Sequence, residues 1–241
     1  MHRLLKIPVW CRFQSASAML LIFFAAWGAQ TLGSPFFTLL LEKLLPGADQ
    51  TLLAWTAILT ATLLGIVILL DLWKKLSPKK IPDIRPLRKN GWKLAFLGFI
   101  IAVLGSGILG SIWQLLLDFA RIPYETEQDI TEIFRNSSLY GRLLIGFTAV
   151  LVIPFFEELL FRRTLFCFFS RWGVLPAILL TSVIFGVAHC FLLGTPSLCW
   201  IGLSFQMVYL YSRNILVSTA AHGILNCGAL LLALSPQAFT P

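Results

Sequence analysis

Residues 151–169 read LVIPFFEELLFRRTLFCFF. The run is apolar enough to be most of a transmembrane helix, which needs about 20 such residues. Yet it carries Glu157, Glu158, Arg162 and Arg163 within seven positions. A charge at the bilayer centre costs about 2.5–3.5 kcal/mol on insertion scales. Glu158 and Arg162 are spaced i, i+4 with the acid on the N-terminal side, the favourable order for an ion pair on one helix face. The arginines also suit the basic end of a helix, reaching toward headgroups, and Arg163 is expected to do no more than face the cytoplasmic interface. Glu157, about 100° round the helix from Glu158, has no such partner.

The flanking sequence is of the same kind. The chain has 241 residues, 58% of them apolar and only 12% charged, where soluble domains carry about 25% charged residues. The apolar runs are long and continuous rather than alternating, so helices and not barrel strands satisfy the backbone in lipid. The fold class is therefore all-α: a polytopic transmembrane bundle of about seven spans, near 17–41, 51–70, 94–117, 143–169, 174–193, 197–211 and 215–234. The sixth is short. The first follows Arg3, Lys6 and Arg12 but runs on to Leu41, so it is expected to be a retained anchor rather than a cleaved signal. No long polar domain is present, which excludes a soluble enzyme on a membrane anchor.

Residues 1–142 are expected to form an N-terminal transmembrane region of three spans, and 143–241 a separate helical core. The basic loop 71–93 holds eight Lys and Arg, and the loop 118–142 is acidic, with room for a short surface helix. Counting also the N-terminus, 162–173 and Arg213, one side carries fifteen Lys and Arg against Lys43, Arg121, Arg135 and Arg142 on the other. This bias predicts a cytoplasmic N-terminus. The net charge of +8 is read as contact with anionic lipid, not nucleic acid. Cys11, Cys167, Cys190, Cys199 and Cys227 show no C-x-x-C pair and read as small apolar residues, although Cys190 and Cys227 adjoin His189 and Asn226. The small-residue run GSGILG, 105–110, predicts close helix packing or a kink.

Nine of the eleven acids lie at span ends or in loops; only Glu157 and Glu158 lie within a run. His189 and His222 are likewise inside apolar sequence, and Asn226 follows His222 by one helical turn. One intramembrane histidine is commonly a helix–helix hydrogen bond. A carboxylate, two imidazoles and an amide on three helices point to a site. At about 1.5 Å per residue, their depths match only if the helix carrying Glu157 continues to about Phe169. The apolar TLFCFF after the arginines predicts that it does, carrying Arg162 and Arg163 inside the protein's envelope.

Glu157-Glu158-x-x-x-Arg162, Phe185-x-x-x-His189 and His222-x-x-x-Asn226, with gaps of 32 and 33 residues between Glu157, His189 and His222, resemble the CAAX prenyl protease and bacteriocin-processing family, also called the Abi or CPBP intramembrane proteases. The resemblance covers 143–234, and Arg163 departs from it. It implies a helical core with a cavity open to the cytosolic side and laterally to lipid. It also implies an endopeptidase acting on a membrane-associated peptide or protein, lipidated or not.

In that reading Glu157 is the general base, His189 orients water, and His222 and Asn226 donate to the oxyanion. Glu158, Arg162 and Phe185 support them. Glu157, His189 and His222 are the residues that would hold zinc, but there is no H-E-x-x-H, and a metal-free glutamate mechanism is preferred. The alternatives are an immunity protein that acts by binding and a proton-coupled transporter. No inverted repeat supports transport.

Overall fold

The computed structural model describes Cys11 and residues 15–76, 84–124 and 129–234; Arg3, Lys6, Arg12 and parts of both polar loops lie outside these. Among the described residues there are helices and no strands. They are α1 (Ala16–Leu44), α2 (Gln50–Leu76), α3 (Lys89–Ala120), α4 (Asp129–Asn136), α5 (Leu139–Trp172), α6 (Val174–Val187), α7 (Thr195–Ser212) and α8 (Ile215–Ala233). Five of them, α1, α2, α3, α5 and α8, are long and apolar enough to cross a membrane. The chain is a multi-pass membrane protein, and each of the seven apolar segments maps to a helix.

One of those segments differs from expectation. The run 174–193 is helical only to Val187, making α6 a 14-residue helix, too short to span alone. The run expected to be short is the 18-residue α7, which is not among the five helices long and apolar enough to cross. The acidic loop does hold a surface helix, α4.

Sequence accounts for several ends and contacts. Ser15, Ser138 and Asn214 cap α1, α5 and α8, each accepting a backbone N–H of the first turn. The small residues of α3 let α7 approach closely. A Cβ on Gly105 would overlap the indole of Trp200, and Ser197 Oγ donates to Ser106 O at 2.8 Å. One buried cluster joins Met19, Ile22, Leu69 and Trp73 of the first two helices to Leu159, Phe166 and Phe205 of the core.

Helix α5 is irregular, and Pro154 explains its first irregularity. Residues Thr148–Val152 form a π turn in which Ile153 N–H bonds Thr148 O. The next donor in that pattern would be Pro154, which has no N–H. A second π stretch, Glu158–Leu165, follows. The helix runs on past Phe169, and it buries both arginines completely or nearly so. Arg163 therefore does not face the interface: its guanidinium lies 4.3 Å above the ring of Trp73. The cysteine reading also needs correcting, because Cys11 and Cys167 form a disulfide across 156 residues of sequence.

Replacing Gly105 by Leu is expected to lower the thermal midpoint in detergent through an overpacking cost of about 1–3 kcal/mol. Gly107→Leu, at a position where an added Cβ would meet nothing within 4 Å, should leave stability unchanged or raise it.

Candidate active site

The site lies where the middle of α5 meets α8 and the end of α6. Glu158 is fully buried and accepts two charge-assisted bonds. Arg162 Nε donates to its Oε2 at 3.2 Å, and His222 Nδ1 lies 3.2 Å from its Oε1. A carboxylate beside a guanidinium is an acceptor only, so His222 Nδ1 carries the proton. The opposite nitrogen, Nε2, then faces Glu157, 3.7 Å from its Oε2. That separation exceeds a direct hydrogen bond. Consecutive glutamates thus meet opposite edges of one imidazole. The Glu157 side chain retains 20% exposure, whereas Glu158 has none.

Arg162 shows how such a charge is accommodated. Its two terminal nitrogens have no hydrogen-bond partner among the described residues. Its guanidinium instead lies 4.5 Å over the Phe185 ring, an attraction that strengthens when desolvated. Phe185 also packs edge-on against His189 and His222, with ring centroids 4.9 and 6.0 Å away.

His189 is not in a helix. It sits in the turn after α6, and its Nδ1 lies 2.8 Å from Phe185 O. A carbonyl only accepts, so Nδ1 is protonated and, in the neutral ring, Nε2 keeps its lone pair. The side chain thereby captures a carbonyl left open by the helix end. The next residue, Cys190, has φ 51°, a left-handed conformation that costs a non-glycine residue about 1–2 kcal/mol and turns the chain away immediately after His189.

Asn226 lies one turn beyond His222. Its Nδ2 donates to Ala149 O at 2.8 Å, the carbonyl that Pro154 leaves without a donor in the π pattern. One amide hydrogen is thus committed to holding α8 against α5, and one remains. Gly223 makes room for this approach, since a Cβ there would lie 2.5 Å from Val150 O.

Glu157, His189, His222 and Asn226 all line one cavity of about 270 Å³. Glu157 and His189 also line a second, of about 230 Å³, that reaches Trp27, Gln30 and Thr31 of α1. Several contributors escaped the sequence reading: Phe205, stacked 5.1 Å from the His222 ring, the α1 residues, and Ile130 and Thr131 of α4. Nothing in their local sequence marks them. Each histidine has Nδ1 engaged, and Glu157, His189 and His222 line the same cavity; these are the residues that would hold zinc, although among the described residues no three His, Cys, Asp or Glu side chains are grouped closely enough to hold a metal ion as they stand.

Residues 139–228 match the family model described as "Type II CAAX prenyl endopeptidase Rce1-like". A Bacillus subtilis (strain 168) protein named "Putative membrane peptidase YdiL" is 30% identical over 146 residues, which cover 60% of this chain and 57% of that protein. The chain thus aligns with little more than half the length of this relative. No solved structure matches.

Removing one partner of a buried ion pair costs about 3–5 kcal/mol. Arg162→Met is therefore expected to destabilise the protein by about that much, and Glu158→Gln/Arg162→Met to recover a large part of it, as read by unfolding of the detergent-solubilised protein. Additive losses in the double variant would show that the pair is not coupled.

Proposed function

We propose, from the match of residues 139–228 to the Rce1-like family model and from the geometry of the site, that the protein is an intramembrane endopeptidase that hydrolyses a peptide bond of a membrane-associated peptide or protein. The observation that carries this reading is the 3.7 Å gap between Glu157 Oε2 and His222 Nε2 at the edge of a cavity, with Glu158 and Arg162 sealed behind it.

The assigned roles follow from which atoms remain free. Glu157 is the carboxylate with exposure and no strong partner, so it takes the proton from water as the water attacks the carbonyl carbon. The protonated Glu157 then delivers that proton to the departing amine, which completes hydrolysis without net change in the enzyme. His189 Nε2, fixed by the bond from Nδ1 to Phe185 O, accepts a hydrogen bond from the water and aims its second lone pair. His222, held on Nδ1 by Glu158, takes up a second proton from solvent at Nε2 before substrate binds and as the imidazolium donates it in a hydrogen bond to the developing oxyanion, together with the remaining N–H of Asn226. Glu158 and Arg162 position the ring; they do not touch substrate.

Glu157→Gln keeps the shape of the side chain and removes its basicity. Purified protein with this change should lose cleavage of an apolar test peptide in detergent micelles by 100-fold or more, in the range of about 10²–10⁴ for a general base, while its thermal midpoint stays near wild type. His189→Ala should lose activity comparably. Full cleavage by either variant contradicts the assignment.

The donor set gives a separate expectation. Dialysis against a strong chelator should leave peptide cleavage intact. Loss of activity on chelation, restored by stoichiometric zinc, would show that Glu157, His189 and His222 rearrange around a metal and would replace the carboxylate mechanism.

A further inference from the structure

The segment leading into α3 is tied to the α7–α8 turn by reciprocal bonds. Arg85 N–H donates to Asn214 Oδ1 at 3.2 Å, and Asn214 Nδ2 donates back to Arg85 O at 2.9 Å. The same Asn214 side chain caps α8. Arg85 Nη2 also donates to Arg213 O at 2.7 Å, which holds the guanidinium in place. Beside these bonds lies a cavity of about 620 Å³, whose lining includes Arg85, Arg88, Asn90 and Tyr211. No acidic side chain is among its described lining residues. Arg88, immediately before α3, is exposed and makes no side-chain cap bond to the helix.

The cavity continues into a groove. It shares Leu94 and Tyr211 with a second space of about 290 Å³ between α3 and α7, walled by apolar side chains such as Leu97, Ile101, Leu203 and Met207. Gly98 forms part of its floor, where an added Cβ would overlap Val208 of α7. Trp200 bounds the far end, its Nε1 donating to Ile101 O at 2.9 Å. From Leu94 to Ile101 the groove runs about 10 Å along α3, against about 15 Å of hydrocarbon in one leaflet.

The two spaces lie at different depths. Helix α3 has 32 residues and is about 48 Å long, more than the roughly 40–45 Å of a bilayer with its headgroups. Its first turns therefore stand at headgroup level, and the groove begins below them. Trp92 and Tyr211 are exposed there, as aromatic rings with a polar edge are at the membrane interface.

We propose that the cavity and groove together bind one anionic phospholipid, with its phosphate between Arg85 and Arg88 and one acyl chain along the α3–α7 groove. Arginine presents phosphate oxygens with a planar fork of donors, and an Arg85 already anchored at Nη2 loses little freedom on binding. Asn90 and Tyr211 supply further polar atoms around the headgroup. The lipid joins the start of α3 to the end of α7 and, through Asn214, to the cap of α8, the helix that carries His222 and Asn226. This is a discrete, saturable site, unlike the diffuse attraction of a basic loop to an anionic surface. It stands whatever reaction the protein performs.

Titration of the purified full chain in detergent tests it, read by the thermal midpoint and by native mass spectrometry. Phosphatidylglycerol should raise the midpoint by several degrees and saturate, with one molecule retained per chain. Phosphatidylcholine and glycerol phosphate should do neither. Arg88→Gln should leave the lipid-free midpoint unchanged and raise the half-saturating phosphatidylglycerol concentration about tenfold or more, as expected for lost charge-assisted bonds. Lys74→Gln removes the same charge from the end of α2, outside the cavity, and should leave that concentration unchanged. Met207→Trp, which fills the groove, should weaken phosphatidylglycerol binding as Arg88→Gln does. An equal midpoint shift with phosphatidylcholine overturns the proposal, and a shift reproduced by glycerol phosphate replaces the lipid with a free phosphate ester. Equal weakening by Arg88→Gln and Lys74→Gln reduces the site to diffuse attraction and also overturns it, as does wild-type lipid affinity in the Met207→Trp protein.

Discussion

A carboxylate that never meets solvent, Glu158, is the constraint on which this arrangement depends. Taking it out of water is costly, and the cost is offset only because Arg162 and His222 each approach it at 3.2 Å. The consequences spread by contact. The bond to His222 ties α5 to α8 and fixes which imidazole edge faces Glu157. Arg162, turned toward Glu158, lays its guanidinium on Phe185. The carbonyl of Phe185 in turn holds His189. The two histidines, on separate elements, are thus oriented by one contiguous set of neighbours centred on a single buried charge.

Pro154 provides the second constraint. By withholding a donor it widens α5 and frees the carbonyl of Ala149, which Asn226 then occupies. A regular helix would satisfy that carbonyl internally and give the α8 amide nothing to hold. The irregular geometry immediately before Glu157 is therefore built from two polar defects, one on each helix, that satisfy each other. Intramembrane helices tolerate such breaks where a neighbouring helix supplies the missing bond.

Much of this was legible in the chain itself. Hydropathy located every long helix, because in lipid the backbone leaves no alternative. The i, i+4 pairs, Glu158 with Arg162 and His222 with Asn226, followed from helical geometry alone. What escaped was set by tertiary contact. Arg163 reads as an interfacial residue until Trp73, ninety positions earlier in the chain, is seen to cover it. The early end of α6 falls just after Gly186, but a lone glycine in an apolar run does not mark a stop; His189 turns back on its own helix there. The pairing of Cys11 with Cys167 has no local signature, since spacing says nothing about two cysteines so far apart. Pro154 was visible in the sequence, but its effect depends on Asn226 waiting opposite.

The central claim is that Glu157 acts on water and does not itself attack the peptide. Single-turnover cleavage in heavy-oxygen water tests this most directly, with mass spectrometry of both the product and the enzyme peptide containing Glu157. The expected result is one heavy oxygen in the new product carboxylate and none in Glu157. Heavy oxygen appearing in Glu157 would reveal a covalent acyl intermediate on that side chain and contradict the account.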